Sequence, residues 1–325
     1  DIHARNWFGG EPGTIIVLYD TWPLLENPDF LKDHDVWYWA PIDHSPAPPK
    51  VQEWCRSHDV IAMSEFGARE LTNAGMAPGY TIHHAIERDV FRPTESDIRE
   101  QMGIGADAHL TTTVMANIGQ TPLPRKMWFE NLLAWRIFAE QHDDAHIYIH
   151  TQLRHPRGVD LASFIKLWGL PIERVHIVDQ GAYVSGIIGP DKLAAIYSAS
   201  DVTLMATAGE GFGIPAIESI ATGTPVIGTN FSAQPEVIGD AGWLVPYLTF
   251  VDYQQGAAQA LPLIDGIADA LERSYTEGRG AYADKCAAQA AKFDADTVYA
   301  DKWRPFLADR EAKPNREQRR RNNRC

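Results

Sequence analysis

Two glutamates, Glu210 and Glu218, are separated by seven residues in a glycine-rich stretch of the chain. An apolar run over residues 201–206 precedes them, and three glycines fall within residues 209–213. This order predicts a strand, a tight loop and a helix, with Pro215 in the first helical turn, where its missing N–H costs no hydrogen bond. Glycines allow a ligand to approach the backbone, and the free N–H groups of a helix start suit an anion such as a diphosphate.

The two glutamates need a different partner from the one that the amides bind. A carboxylate beside phosphate-binding amides is a poor phosphate ligand because like charges repel. We therefore expect both glutamates to accept hydrogen bonds from hydroxyl groups. A diphosphate site with two hydroxyl-accepting carboxylates suits a nucleotide-sugar.

The same stretch carries a family resemblance. Glu-Gly-Phe-Gly-Ile-Pro-Ala-Ile-Glu, followed by Ala-Thr-Gly-Thr-Pro-Val-Ile, resembles the signature of retaining GT-B glycosyltransferases of family 4, in the glycosyl transferases group 1. Ser64-Glu65-Phe66, residues 83–93, Pro235-Glu236 and residues 241–245 are similar to further parts of the family pattern, although His84-Ala85 replaces the usual Asn-Gly. The resemblance implies an α/β protein in which two Rossmann-like domains face each other across a cleft.

The resemblance also implies roles for the residues that match it. Glu218 would accept from the ribose hydroxyls of the donor, and Glu210 would hold the sugar hydroxyls. The backbone N–H groups of Gly211, Phe212, Gly213 and Ile214 would orient the sugar and the phosphate.

Other donor contacts are expected from the loops after two earlier strands. In the family, a glycine loop followed by Arg or Lys holds the diphosphate, and Gly119, Arg125 and Lys126 match that place. A basic helix start on the surface is the alternative, although cations there oppose the helix dipole. Gln180 follows a strand where the family places the nucleobase.

The loop after the strand at residues 35–40 supplies the candidates from the first half of the chain. Asp43 and His44 are predicted to face the cleft between the domains, and in many family members a histidine on such a loop approaches the donor sugar. A loop histidine held by local backbone is the alternative. Asp20, at the end of another strand, is a candidate for orienting the acceptor.

No metal and no cofactor is expected. A GT-B enzyme uses a helix N-terminus and basic side chains where other transferases use a metal, and the nucleotide-sugar is a substrate. His142, His146 and His150 have a spacing of four that would suit a metal on a helix, but the last two fall on a predicted strand.

The pattern divides the chain into four parts. Residues 1–95 form a Rossmann-like acceptor-side domain, which lacks an opening strand and glycine-rich loop, so that we expect its first strands to be missing. Residues 96–292 form the nucleotide-sugar domain, residues 293–309 a helix that crosses back to the first domain, and residues 310–325 a basic tail.

Four local predictions bear on the fold. Residues 14–19 are predicted to be a buried strand and residues 81–85 a short strand. Residues 94–108 are polar and rich in turn formers, which indicates a linker. Residues 128–141 are predicted to form an amphipathic helix.

The charge and composition of the chain limit the classes of partner that it is expected to bind. The 325 residues carry a net charge of −14; residues 310–325 contain seven basic and two acidic side chains, which leaves the body strongly acidic. An acidic body does not suit broad binding to nucleic acid. The basic tail could bind nucleic acid or anionic lipid, and the alternative is that it is disordered. Three widely spaced cysteines and the lack of an apolar run of about 18 residues favour a cytoplasmic protein without a transmembrane segment.

The function expected from these features is a metal-independent, retaining transfer of a sugar from a UDP- or GDP-sugar to an acceptor hydroxyl, by front-face attack. A GT-B-fold nucleotide-sugar epimerase or a non-catalytic nucleotide-sugar-binding protein is the alternative. The acceptor is not readable from the sequence.

Overall fold

The computed structural model describes residues 2–11, 13–26, 31, 34–119 and 124–312. Gln120 in the predicted diphosphate loop, and the basic tail from residue 313 onward, lie outside the described residues. The strands are β1 (Thr14–Val17), β2 (Asp35–Ala40), β3 (Asp59–Ala62), β4 (Tyr80–Thr81), β5 (His109–Val114), β6 (Ala145–His150), β7 (Val175–Ile177), β8 (Val202–Met205), β9 (Val226–Thr229), β10 (Gly242–Val245), β11 (Tyr247–Asp252) and β12 (Ala257–Pro262).

Helices alternate with most of these strands, so the predicted α/β class is confirmed. They are α1 (Ile2–Trp7), α2 (Thr21–Glu26), α3 (Pro49–Ser57), α4 (Glu65–Asn73), α5 (Ile98–Gln101), α6 (Trp128–Ala139), α7 (Leu161–Leu167), α8 (Gln180–Ser185), α9 (Pro190–Ala199), α10 (Ile214–Ala221), α11 (Gln234–Ile238), α12 (Ile264–Glu277), α13 (Ala283–Lys292), α14 (Ala295–Val298) and α15 (Arg304–Ala312), with a π-helical turn at Tyr299–Trp303 before α15.

The first sheet is parallel, with the order β1-β2-β3-β4. Strand β1 lies at the edge of this sheet, where β2 is its neighbour. It is therefore more exposed than predicted: Ile16 is 37% exposed, and Tyr19, just beyond the strand, is 58% exposed. Strand β4 ends at Thr81 and not at residue 85. The chain leaves the sheet there, and Ile86 then bonds to the Phe293 carbonyl across the molecule.

The second sheet is also parallel, with the order β10-β9-β8-β5-β6-β7. Strands β5 and β8 are neighbours where the order changes direction, because the chain runs outward through β6 and β7 before it returns to β8. Ligands of doubly wound sheets bind outside the carboxyl ends of the strands at such a point. The loops after β5 and β8 carry Arg125, Lys126 and Glu210.

Helix α6 and residues 94–108 differ from the predictions. Trp128, Trp135 and Phe138 on one side of α6 are buried, because the helix packs against the second sheet and α12. The other side also carries an apolar side chain, Phe129, which is 36% exposed, so apolar residues are not confined to one face as predicted. Residues 94–108 are not a free linker. They contain α5 and are bound to the second sheet by Arg99, whose guanidinium lies 2.6 Å from the Asp201 carboxylate.

The end of the described chain packs against the first sheet. Phe306 of α15 is fully buried and meets Trp37 of β2 edge-on, with ring centroids 5.0 Å apart. The Tyr80 hydroxyl donates to Asp309 over 2.7 Å, and the Arg310 guanidinium lies over the Trp37 ring. None of the helices in the described ranges is long and apolar enough to span a bilayer.

Candidate active site

The glycine-rich stretch forms a strand, a loop and a helix, as predicted. Strand β8 ends at Met205 and α10 begins at Ile214, with Pro215 in its first turn. Gly213 has a φ of +103°, which a side chain would disfavour, so glycine permits the sharp entry into the helix.

Glu210 is the centre of an ion-pair cluster. Its side chain is 8% exposed, and Lys126 Nζ lies 2.6 Å from Oε1. One Arg125 guanidinium nitrogen donates to Oε2 over 3.0 Å and to the Gly209 carbonyl over 2.7 Å. The backbone N–H of Glu210 donates to the Ser232 hydroxyl. The structure thus brings together three of the residues that the sequence analysis placed at the donor.

The cluster perturbs the ionisation of its members. Burial alone would raise the pKa of Glu210, but the charges of Lys126 and Arg125 outweigh it and lower that pKa to about 2. For Lys126, burial and the charge of Arg125 lower the pKa, and Glu210 opposes the shift. A buried carboxylate that stays ionised between two cations is a permanent acceptor for hydrogen bonds.

Asp43 and His44 lie across from this cluster. His44 Nδ1 is 2.6 Å from Asp43 Oδ1, and Arg125 Nε is 3.7 Å from Asp43 Oδ2. Burial works to raise the pKa of Asp43, while the hydrogen bond from His44 and the charge of Arg125 lower it. The loop after β2 therefore meets the loop after β5 at Arg125.

The loop between β8 and α10, residues 206–213, is called the donor loop below. Its glycines let the loop after β2 approach closely, which changes the reason that the sequence suggested for them. A Cβ on Gly209 would lie 2.2 Å from the Asp43 carbonyl oxygen, and one on Gly211 would lie 2.8 Å from Pro41 Cβ. Backbone of the loop after β2, and not a ligand, makes the close approach at these two positions. Only glycine leaves room for that loop.

Phe212 and Ile214 point in different directions. The Phe212 ring is buried against the rings of His84 and Phe293, with centroids 5.2 and 5.4 Å away. The Phe212 side chain belongs to the core, so only the backbone N–H of this residue is left to contact a nucleotide-sugar. Ile214, the first residue of α10, is 40% exposed.

Glu218 lies one turn into α10, half-buried and bonded to a single side chain. The Tyr197 hydroxyl donates to Oε2 over 3.0 Å. Burial raises the pKa of Glu218, and the bond from Tyr197 opposes that shift. Its environment thus differs from that of Glu210, which two cations hold.

The three remaining candidates are placed less centrally. Gly119 is exposed, with a φ of +96°, and its N–H donates to the Arg157 carbonyl. The Gln180 side chain accepts from Leu153 N–H and donates to two backbone carbonyls, so the amide supports the loops around it. Asp20 is exposed after β1, close enough for its charge to act on Arg125.

One residue of the site, Asp252, was not predicted from the sequence. Asp252, at the end of β11, is 5% exposed, and its Oδ2 lies 3.8 Å from His44 Nε2. The alternation of β11 and the Asp-Tyr-Gln-Gln-Gly turn could have indicated a hairpin, but no local pattern showed that this hairpin reaches the loop after β2.

The histidines spaced by four do not converge. His142 pairs with Glu272, His146 lies 3.0 Å from His176, and His150 bonds to the Tyr148 hydroxyl. Across the described residues there is no group of three or more His, Cys, Asp or Glu side chains arranged to hold a metal ion.

Two facing parallel sheets with a loop cluster between them define the GT-B fold of glycosyltransferases, and solved structures share it. Sucrose-phosphate synthase from Thermosynechococcus elongatus superposes with a TM-score of 0.69 at 19% identity, covering 96% of this chain and 77% of that one. Anabaena HepE, solved in complex with UDP and glucose, gives a TM-score of 0.64 at 16% identity, covering 93% and 78%.

The second half of the chain is similar in sequence to a known family. Residues 134–262, which are less than half of the chain, match the family model described as glycosyl transferases group 1. A curated relative, the MMP alpha-(1->4)-mannosyltransferase of Mycolicibacterium hassiacum, is 31% identical over 119 residues, which are 35% of this chain and 29% of that relative. The matching family and this relative are both named as glycosyltransferases.

Proposed function

We propose that this protein is a retaining glycosyltransferase that moves a sugar from a UDP- or GDP-sugar to an acceptor hydroxyl without a metal. The observation that carries the proposal is the convergence of Arg125, Lys126 and Glu210 beside the start of α10, at the point where the strand order of the second sheet reverses. Charged side chains of both signs in a buried cluster suit a ligand that carries both phosphates and hydroxyls.

The donor would bind with its diphosphate at the start of α10 and beside the two cations. Arg125 and Lys126 would stabilise the negative charge that develops on the leaving diphosphate. Glu210 would accept from the sugar hydroxyls, and Glu218 from the ribose hydroxyls after displacing the bond from Tyr197. UDP is the nucleotide bound by HepE, which supports testing UDP-sugars first.

The acceptor would enter from the side of the loop after β2. His44 and Asp43 lie there, next to the cluster, and Asp20 is exposed nearby. In front-face attack the departing phosphate oxygen takes the proton of the acceptor hydroxyl, so no protein nucleophile is needed.

Donor turnover tests the proposal directly. The purified protein is incubated with a panel of UDP- and GDP-sugars, without and with added EDTA, and free nucleotide and sugar products are quantified. We expect one donor class to be consumed by the wild type, with an EDTA-insensitive rate, and the rate to fall at least about a hundredfold in Glu210→Gln. Glu100→Gln makes the same change on an exposed helix and should leave the rate unchanged.

The alternatives give different results in the same assay. An epimerase would return a nucleotide-sugar with an inverted sugar carbon and no free nucleotide. A binding protein would show saturable donor binding without turnover. Either result would replace the transferase assignment.

A further inference from the structure

The β11–β12 hairpin joins the two loops that carry the candidate site. Ser45 and Ala258 exchange both backbone hydrogen bonds, over 3.0 and 2.9 Å, so the hairpin pairs with the residue directly after His44. From the same strand, Ala260 N–H donates to the Ala208 carbonyl over 2.9 Å, two residues before Glu210. The hairpin is therefore fixed to the first sheet's loop and to the donor loop.

Asp252 ends the first strand of this hairpin, and its carboxylate is oriented by the turn that follows. Oδ1 accepts from the backbone N–H groups of Gln254 and Gln255, over 2.8 and 3.0 Å. That leaves Oδ2 to face His44 Nε2, 3.8 Å away. The turn thus holds a buried carboxylate against the imidazole.

His44 is in turn held from its other nitrogen. Nδ1 lies 2.6 Å from Asp43 Oδ1, while Nε2 is buried and has no hydrogen-bond partner among the described residues. A buried polar atom without a partner is costly and calls for an explanation. The group that faces Nε2 is the Asp252 carboxylate, which lies just beyond hydrogen-bond distance and can pair with it after a small shift.

We propose that Asp252 is a positioning residue for His44: together with Asp43 it fixes the orientation of the imidazole in the loop that meets Arg125. The charged groups that face this pair are Asp43 on the same loop, Asp252 on the hairpin and, through Asp43, Arg125 and Glu210. The expected effect of Asp252 on turnover rests on the proposed function, whereas its contact with His44 does not.

Histidine NMR tests the contact without any activity. The protein is labelled with ¹⁵N-histidine, and the His44 ring signals are assigned by their loss in His44→Gln. Asp252→Asn keeps a side-chain oxygen for the turn but removes the charge, and we expect it to shift both His44 ring nitrogens. Asp269→Asn, the same change on the exposed face of α12, should leave them in place. Unchanged His44 signals in Asp252→Asn overturn the proposal.

Kinetics then tests the role. We expect Asp252→Asn to lower kcat about tenfold to a hundredfold and to change the KM for the donor less than about twofold, since the side-chain contacts of Asp252 in the described part of the chain are with His44 and its own turn, and not with Arg125, Lys126 or Glu210. An unchanged kcat overturns the role. If Asp252→Asn fails to fold, Asp252→Ser, whose hydroxyl can also accept from the turn, takes its place in both measurements. If the wild type turns over no donor, the proposed function fails, and the NMR comparison still decides whether Asp252 positions His44.

Discussion

Lys126 Nζ lies 2.6 Å from Glu210 Oε1, so a cation expected to bind the donor diphosphate is already paired with a carboxylate of the same site. Arg125 is shared in the same way between Glu210 and Asp43. The charges of these four side chains cancel. A diphosphate that enters the site must therefore compete with Glu210 for its cations, and this competition can be measured.

The first prediction concerns nucleotide affinity. UDP or GDP lacks the sugar that Glu210 would bind, so Glu210 offers it no contact and competes for Lys126 and Arg125. We expect Glu210→Gln to bind the nucleotide about fivefold more tightly than the wild type, a change of about 1 kcal/mol in binding free energy. Titration calorimetry measures the difference.

Two controls define that result. Lys126→Met, which removes the cation instead, should weaken binding, and the exposed variant Glu100→Gln should not change it. Weaker nucleotide binding by Glu210→Gln would mean that Glu210 supports the nucleotide itself, and the assignment of Glu210 to the sugar would be wrong.

The second prediction concerns stability and pH. The pKa of Glu210 is lowered from 4.5 to about 2 in the folded protein, so its ion pairs stabilise the fold fully above about pH 4.5, and this contribution is lost as the pH falls toward 2. Removing one partner of a buried pair costs about 3 kcal/mol. We expect Glu210→Gln to be less stable than the wild type by about that amount at pH 7, and the difference to shrink below about pH 4.5. Urea unfolding at a series of pH values measures it; a difference that stays constant down to pH 3 would contradict the pairing.

The local features of the site were predictable because they depend on residues close together in the sequence. The order of strand, glycine loop and helix around Glu210 follows from residues 201–221. The cation pair Arg125-Lys126 lies just before a helix and was identified by its resemblance to the glycine loop and basic residues of the family. The cap of α4 is another local contact, in which the Ser64 hydroxyl accepts from Gly67 N–H.

The features that were missed depend on contacts between distant parts of the chain. Nothing near residue 211 reveals that Pro41 fills the space beside it. The place of β1 at the edge of its sheet depends on strand pairing and not on its own apolar composition. Asp252 meets His44 only because Ala258 pairs with Ser45, a contact that no local pattern encodes.

The third prediction concerns the contact between the loop after β2 and the donor loop. A Cβ on Gly211 would lie 2.8 Å from Pro41 Cβ and 2.9 Å from Pro41 Cα, where neither the ring nor the backbone can give way cheaply. We expect Gly211→Ala to force the two loops apart, to destabilise the protein by about 1–3 kcal/mol and to lower donor turnover more than stability alone explains. Gly280→Ala, on an exposed turn with nothing within 4 Å of the new Cβ, is the matched control. Full activity in Gly211→Ala would show that the loops need not touch during turnover.

The last prediction concerns a helix cap that comes from the other half of the molecule. Glu236, in α11 of the second half, accepts from the N–H groups of Glu65 and Phe66 at the start of α4, over 3.0 and 3.1 Å. Ser64 satisfies the next N–H from within the first half. A carboxylate at a helix N-terminus both fills unpaired donors and interacts favourably with the helix dipole.

Glu236→Ala and Ser64→Ala should therefore each cost about 1 kcal/mol of stability, but with different consequences for the rest of the molecule. The loss of the Ser64 cap stays within the first half. The loss of Glu236 also removes a tie between the halves, so we expect faster amide hydrogen exchange at Glu65 and Phe66 and, in addition, near His83, whose Nε2 lies 3.5 Å from Glu236. Exchange measured by mass spectrometry on both variants separates the two cases, and identical exchange patterns would show that Glu236 is a local cap and not a link between the halves.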